Sequence, residues 1–253
     1  MSELSNIFNN KNPHREPAAA VNSEEFCKVV RSRRSVRRFS KKPIPEKVMR
    51  ECLELALLAP NSSNLQPWEF YWVRDPQKRK EINAAFLSQP AATTAAEIVV
   101  AVARTGTWRK NSKKMIQVLE QNQALSATHY YKKIVPLAYV IGFFGILGLF
   151  KKIFMFATGL FQPVPREVTS LCELQIWSVK TTALACENLM LSLRAFGFDS
   201  CPMEGMDSHR LKKILKLPKD ALIVMGISAG ERAEDGVYGP QIRFPSSEFI
   251  YEV

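Results

Sequence analysis

Apolar residues recur with helical spacing in four stretches of the chain, and polar residues separate these stretches. The first stretch begins at Asn22 and Glu25, which are spaced as a helix-capping box. The longest one stops at Gly197, a residue type that is common just after a helix. The pattern predicts helices over 23–31, 46–58, 172–196 and 207–217.

Shorter runs of aromatic and β-branched residues lie between the helical stretches or after them. Such runs are typical of β-strands. They predict strands over 69–73, 97–103, 221–227 and 248–253. Since helices separate the strands, the predicted fold class is α+β, or mixed α/β, with helices around one sheet whose strand order the pattern leaves open.

The composition indicates a globular chain. Of the 253 residues, 46% are hydrophobic and 23% are charged, which is enough chain for one substantial core or two small ones. Residues 1–22 lack the apolar stretch of a secretory signal and predict a flexible N-terminal arm, which leaves 23–253 as the folded part. The five cysteines form no CxxC pair and are typical of reduced thiols, so a cytoplasmic location is predicted.

The formal charge of +11 is concentrated in one part of the chain. Residues 104–166 contain ten basic residues and a single acidic one, Glu120. A chain that is basic throughout would favour nucleic acid, whereas one basic segment indicates a local partner surface. No nucleic-acid partner is therefore predicted.

The most basic motif is RSRRSVRRF, over 31–39, with five arginines and two serines. Arginine forks and serine hydroxyls both match the oxygens of a phosphate group. A solvated basic helix end, stabilised by the helix dipole, accounts for the same residues equally well. On residue types alone both interpretations stay open.

The stretch APNSSNLQPW, over 59–68, connects a predicted helix to a predicted strand. Pro, Asn and Ser are common turn residues, so a plain turn is one interpretation. The side-chain amides of Asn61, Asn64 and Gln66 can also donate and accept at once, which suits the polar edge of a heterocycle.

These two motifs are followed by CPMEGMD over 201–207 and by GPQIRF over 239–244. The four motifs in this order resemble the FMN-dependent nitroreductase family from about residue 23 to the C-terminus, with 105–170 as a basic and apolar insertion. The resemblance implies a nitroreductase-like fold with a central, mostly antiparallel sheet flanked by helices. It also implies a homodimer whose C-terminal strand is exchanged, bound FMN, and NADH or NADPH as co-substrate.

The resemblance assigns positions in all four motifs to the cofactor. The backbone near Glu204 and Gly205 would lie against flavin N5, and no side chain is assigned as catalytic. The loop after Ala59 would reach the flavin held by the other subunit, and Gln241 replaces a lysine that is common in the family. The implied cofactor-binding residues are Arg33, Arg34, Ser35, Arg37, Pro60, Asn61, Ser62, Asn64, Gln66, Pro202, Met203, Glu204, Gly205, Gln241 and Arg243.

The activity implied is hydride transfer from NAD(P)H to FMN, followed by ping-pong reduction of a nitroaromatic, a quinone or a similar apolar acceptor. Two alternatives stay open. One is other flavin chemistry on the same fold, such as reductive dehalogenation or flavin fragmentation. The other is a membrane-surface flavoprotein without reductase turnover. The histidines lack metal-ligand spacing, and no metal site is predicted.

Residues 130–166 are the part of the insertion with the most apolar residues. The stretch 134–150 is seventeen residues long, carries no charge, and lies between Lys132–Lys133 and Lys151–Lys152. Spanning is rejected, because this length is the lower limit and a span would separate the flavin motifs. A lid over the flavin, a hairpin in an anionic leaflet and a helix in the dimer core remain. The flanking lysines favour the hairpin, which would attach the protein peripherally to the inner face of the membrane.

Overall fold

The computed structural model describes residues 16–122, 125–142 and 145–253. Residues 1–15 of the predicted arm lie outside this part of the chain. The α-helices are α1 Ser23–Ser32, α2 Glu46–Leu57, α3 Pro76–Ala85, α4 Pro90–Thr93, α5 Trp108–Gln121, α6 Leu125–His129, α7 Val135–Tyr139, α8 Ile146–Thr158, α9 Leu171–Ala195 and α10 Ser208–Ile214. A π-helix covers Tyr130–Ile134, and 3₁₀ turns cover Ser62–Asn64 and Ser246–Glu248.

The described residues form one sheet of four strands, β1 Trp68–Trp72, β2 Glu97–Arg104, β3 Asp199–Met203 and β4 Ala221–Gly230. The strand order is β1-β2-β4-β3, and each neighbouring pair is antiparallel. The predicted α+β class with a mainly antiparallel sheet flanked by helices is thereby confirmed.

The four predicted helices form with ends within three residues of the predicted ones. Side chains cap the N-termini of α1, α9 and α10, whereas α2 follows Pro45 without a side-chain cap. The Asn22 side chain accepts hydrogen bonds from the amides of Glu24 and Glu25, at 3.0 and 3.2 Å. The Asp207 carboxylate accepts from the amide of Arg210 at 3.0 Å. Gly197 follows α9 with a φ of +84°, a conformation that other residues adopt at a cost.

The sheet separates two apolar layers, and β2 is buried on both faces. Ile98 and Val100 point into the layer that contains Phe86, while Val99 and Ala101 point into the layer formed with α2 and α9. A Cβ added at Gly226 would lie 2.2 Å from the Phe86 ring, so a glycine on β4 is what lets this ring pack against the sheet.

The predicted strand at 248–253 is wrong for the single chain. Residues 249–253 have no regular structure. The fourth strand is instead β3, which covers the two residues before CPMEGMD and the first three residues of that motif. A strand needs a neighbouring edge for its hydrogen bonds, and the C-terminal segment is not paired with one in the described chain. Its large apolar side chains are exposed, including Phe249, Ile250 and Tyr251.

The predicted insertion contains α5 to α8 and the π-helix, and packs around a cluster of its own. Trp108, Tyr139 and Trp177 are buried together there, and the ring centroids of Tyr139 and Trp177 are 4.7 Å apart. Leu65, from the loop before β1, is buried in the same cluster. The insertion is therefore a packed unit built on the 59–68 loop and the start of α9.

Candidate functional site

The arginine-rich segment lies along β3, at the edge of the sheet. Ser35 forms an isolated bridge with Ser200, and the Val36 amide donates to the Ser200 carbonyl at 3.0 Å. On its other side, the Arg37 amide donates to the carbonyl of Gly236 at 2.8 Å. The backbone of 33–37 is thus fixed between the strand that enters CPMEGMD and the segment that leads to GPQIRF.

A cavity of ≈ 220 Å³ opens where these segments meet. The Arg34 guanidinium donates to the Gly239 carbonyl at 2.5 Å, and the Arg37 guanidinium lies 5.3 Å from the centre of the Tyr238 ring. The lining contains four arginines and, among the described residues, no acidic one, which makes it a strongly positive concave surface. The cavity is lined by Arg33, Arg34, Ser35, Arg37 and residues 237–243, which include Gln241 and Arg243.

Two polar groups beside this cavity have environments that the sequence did not reveal. The Ser200 hydroxyl is buried and has no hydrogen-bond partner in the described structure. The Arg33 guanidinium lies 3.7 Å from the Glu187 carboxylate on α9, which orients it. Ser200 immediately precedes the CPMEGMD motif, and only its pairing with Ser35 places it at the site. Burial raises the pKa of the neighbouring Cys201 thiol more than the Arg37 charge lowers it, so this thiol stays protonated at neutral pH.

The end of β3 presents backbone to open space. Glu204 and Gly205 are exposed, and a Cβ added at Gly205 would have no atom within 4 Å. The Gln89 side-chain amide donates to the Gly205 carbonyl at 3.2 Å and holds this turn in place. Leu87 and Ser88, the two residues before Gln89 in the chain, have φ values of 58° and 50°, a strained conformation for residues other than glycine. Gln89 is a positioning residue that the sequence motifs missed.

The loop of APNSSNLQPW is also strained. Ser63, Asn64 and Gln66 have φ values of 55°, 44° and 45°. The Asn61 side chain closes the loop, since its carbonyl accepts from the Gln66 amide at 2.8 Å and its NH₂ donates to the Asn64 side chain at 3.2 Å. The turn interpretation is therefore right for Asn61, while Ser62, Asn64 and Gln66 remain exposed.

The same loop contacts the insertion. Ser63 shares a hydrogen bond with the Tyr130 hydroxyl at 2.6 Å, and Ser62 shares one with the Tyr139 hydroxyl at 3.1 Å. A second cavity, of ≈ 750 Å³, lies between the loop, the π-helix, α7 and α9. Its lining includes Ile134 and Trp177, and the Trp177 indole N–H is buried without a partner in the described structure. Of the four motifs, RSRRSVRRF and GPQIRF line the arginine cavity, and APNSSNLQPW lines the second one. CPMEGMD is in neither lining; its first residues, including Pro202 and the buried Met203, form the strand beside the arginine-rich segment.

One prediction about the insertion is wrong. Lys151 does not flank the apolar run as a solvated cation, because it is buried inside the insertion. Its ammonium donates to the carbonyls of Ala138, Val140 and Val168 at 2.8, 3.2 and 2.8 Å. Burial lowers the pKa of this ammonium from its usual value. Lys151 therefore ties α8 to the C-terminal end of α7 and to the segment before α9, while Lys152 is exposed.

The chain is similar to known proteins over most of its length. A family model described as the Nitroreductase family matches residues 30–231. Among curated relatives, an NADH dehydrogenase of Thermus thermophilus is 30% identical over 218 residues, which cover 86% of this chain and 91% of the relative.

Solved structures share the fold at lower identity. A nitroreductase family protein of Streptococcus pneumoniae superposes with a TM-score of 0.69 at 21% identity, covering 90% of this chain and all of that one. A protein of Exiguobacterium sibiricum, solved in complex with FMN, superposes with a TM-score of 0.68 at 22% identity, covering 93% and 99% of the two chains. At these identities the likeness shows the fold.

Proposed function

This chain belongs to the nitroreductase family of flavin oxidoreductases, and from that premise we propose that it uses bound FMN to carry hydride from NADH or NADPH to an apolar acceptor. The acceptor is a nitroaromatic, a quinone or a similar molecule, reduced in a ping-pong cycle. The observation that carries the proposal is the arginine cavity, where segments from both ends of the chain converge. In this proposal residues 23–253 act as one FMN-binding domain with an insertion at about 105–170.

The arginine cavity fits the phosphate of FMN. Arg33, Arg37 and Arg243 supply guanidinium groups around a concave space, and Ser35 adds a hydroxyl. Charge-assisted hydrogen bonds from such groups are the strong ones, and Arg matches phosphate oxygens bidentately.

The turn after β3 fits the ring of the cofactor. Bound FMN supplies the hydride and electron chemistry, and the chain supplies position and electrostatics. At Gly205 the open space in front of the backbone lets a flat ring approach, and the Gln89 bond to the Gly205 carbonyl fixes the orientation of that peptide. Glu204, whose backbone would face flavin N5, is exposed and acts through its main chain in this proposal.

The split between the two cavities supports a shared site in a homodimer. Pro60, Asn61 and Ser62 line the second cavity together with the insertion, and none of them lines the arginine cavity. In a two-fold dimer the loop of one protomer would complete the flavin site of its partner. The exposed apolar residues of the C-terminal segment and of α1, where Phe26 is 61% exposed, would be covered by this association.

The second cavity supports the choice of an apolar acceptor. It borders Pro60 and Ser62, which would face the partner's flavin, and it is walled by Ile134, Tyr139 and Trp177. Aromatic walls with a few polar groups are typical of sites for small planar ligands.

An anaerobic titration tests the proposal. The purified protein is reconstituted with FMN and should retain about one flavin per chain, seen as visible flavin absorbance after gel filtration. NADH or NADPH should then bleach that absorbance, and a nitroaromatic or a quinone should restore it. Failure to retain FMN would contradict the proposal outright. Bleaching that neither acceptor reverses would favour dehalogenation or another flavin chemistry instead.

A further inference from the structure

Helix α8 has an inverted distribution of polar and apolar residues. Its two buried residues are Gly148 and Lys151, which a surface helix would ordinarily expose. Its solvent-facing side is apolar, with Phe150 and Phe154 exposed by 65% and 68%. The exposed large apolar side chains of α8 are Ile146, Leu147, Leu149, Phe150, Ile153, Phe154 and Phe156.

The contacts of the inner face fix this orientation. A Cβ added at Gly148 would lie 1.9 Å from the Thr169 carbonyl oxygen, so the helix backbone rests directly on that segment. The Lys151 ammonium reaches the carbonyls of Ala138, Val140 and Val168. Rotating the helix to bury its phenylalanines would remove the donor from these three carbonyls, of which that of the buried Val168 would be the most costly to leave unpaired. The apolar face is therefore held outward.

The patch continues beyond the helix. Leu160 and Phe161, just after α8, are exposed by 67% and 89%, and Leu137 on α7 is exposed by 66%. Single exposed apolar residues are ordinary, whereas a contiguous set of this size marks a surface that another body covers. We call the exposed apolar residues of α8, together with Leu137, Leu160 and Phe161, the α8 surface.

Exposed cations surround the α8 surface. Lys152 lies on the helix itself and Lys133 lies one turn before Leu137, both exposed. The Arg166 guanidinium lies against the C-terminal end of the helix, since a Cβ added at Gly159 would be 2.4 Å from it. Arg109 lines the same groove as Gly145, at the N-terminal end. No acidic residue occurs in the sequence from 121 to 166.

We propose that the α8 surface docks on an anionic lipid bilayer. An apolar helical face framed by lysine and arginine is what interfacial attachment needs, because the side chains enter the acyl boundary while the cations meet the headgroups. None of the helices in the described ranges is long and apolar enough to cross a membrane. The helix of thirteen residues lies in the plane of the surface.

The charges argue against a second copy of this chain as the occupant. A two-fold contact through the α8 surface would place Lys152, Lys133 and Arg166 opposite or beside their own copies. The acidic residue that interacts with Lys152 is Glu173 of the same chain, and α8 itself carries no acidic residue to face these cations. Like charges that face each other at an interface repel, whereas an anionic headgroup layer would attract the same cations. The inference does not depend on the flavin assignments, since the arginine cavity is built from other residues.

Flotation with vesicles tests the inference. The full-length, FMN-loaded protein is mixed at low salt with vesicles of phosphatidylcholine containing phosphatidylglycerol, and with vesicles of phosphatidylcholine alone. It should float with the anionic vesicles, less with the neutral ones, and less as salt is raised. No flotation with anionic vesicles at low salt would overturn the inference.

Two sets of variants locate the contact. Phe150→Ser with Phe154→Ser should lower the vesicle partition coefficient by at least about tenfold, whereas Val21→Ser with Val118→Ser, two exposed apolar positions elsewhere, should leave it unchanged. Lys152→Gln with Arg166→Gln should lower it by about 30-fold on anionic vesicles. The matched pair Lys47→Gln with Lys80→Gln should have little effect, since both are exposed and outside the insertion.

A reporter that keeps the apolar surface intact covers the case in which the serine variants misfold. Phe154→Trp should be quenched by brominated lipid well beyond the quenching of the parent protein, in which Trp68, Trp108 and Trp177 are buried and Trp72, on β1, is half-buried. Quenching equal to the parent would overturn the inference. So would sedimentation that shows a larger oligomer dissociated by the Phe150→Ser, Phe154→Ser pair, because the occupant would then be a second copy.

Discussion

At the scale of single residues, the arginines of the 31–39 motif divide into those that line the cavity and those that do not. Arg33 lines it and has a side chain only 20% exposed, whereas Arg31 lies in the last turn of α1 and is exposed. This pair separates a phosphate-binding role from a helix-end role, because the helix dipole would favour either cation.

We expect Arg33→Ala to raise the dissociation constant of FMN about 10- to 100-fold, the effect of losing one charge-assisted contact. Arg31→Ala should change it by no more than about twofold. Both constants can be measured by fluorescence titration of the apoprotein with FMN. An equal effect of the two substitutions would show that general positive charge, rather than the cavity, retains the cofactor.

Residue types alone left the role of the arginine motif open, and the family resemblance grouped Arg33, Arg37 and Arg243. The structure brings these three side chains together in the lining of one cavity. The role of Asn61 could not be predicted, since an amide that ties a turn and an amide that faces a ligand look the same in sequence. Lys151 and Lys152 are adjacent, and only the packing of α8 shows which of them points inward.

At the scale of elements, the start of α9 is where the insertion joins the body of the protein. Ser170 caps the helix through a bond from the Glu173 amide at 3.2 Å, and the Glu173 carboxylate accepts the Thr169 amide in return at 2.6 Å. This reciprocal capping box fixes the residue whose carbonyl contacts Gly148.

The backbone hydrogen bond from Thr169 lowers the pKa of the Glu173 carboxyl below its usual value of 4.5. A carboxyl whose pKa is lower in the folded state adds stability above its unfolded pKa and loses it as pH falls through the folded one. We expect the difference in unfolding free energy between the parent and Glu173→Gln to be constant from pH 7 to about 5. It should then shrink below that, as urea unfolding at each pH will show. A difference that grows on acidification would contradict this.

The element boundaries that sequence predicted well were those with local causes. α1, α9 and α10 each begin at a side chain that caps its own helix, which is a short-range signal. The segment at 248–253 has strand-like composition, but a strand also needs an edge to pair with, and composition carries no information about that. β3 went unpredicted because Pro202 and the small residues around it are atypical of strands, and pairing with β4 overrides this.

At the scale of the whole molecule, the proposed dimer makes the C-terminal segment a structural part of two flavin sites. Phe244 and Phe249 lie 6.4 Å apart between ring centroids, yet both stay largely exposed in the single chain. The apolar area they would bury lies in the partner. Dimer formation and flavin retention should therefore depend on the same C-terminal residues, 246–253.

Deletion of 246–253 should convert the dimer to a monomer in sedimentation velocity and release FMN in the same concentration range. Ser246→Ala with Ser247→Ala is the matched control, because it leaves the apolar side chains in place and should keep both properties. A truncated protein that stays dimeric and holds its flavin would remove the C-terminal segment from the interface.

The packing of the inner face of α8, which buries Lys151, has a consequence for the acylation of lysine side chains. Lys151 and Lys152 are neighbouring amines, but an acyl donor in solvent can reach only the second while the helix stays in place. An acyl group added to Lys151 during a brief departure of the helix would abolish its charge and enlarge its head, so the three carbonyls could not receive it again. The modification would trap the helix away from the protein body, whereas the same group on Lys152 would leave it seated. The ratio of acylation at Lys151 to acylation at Lys152 would therefore measure how often α8 had dissociated from the protein body.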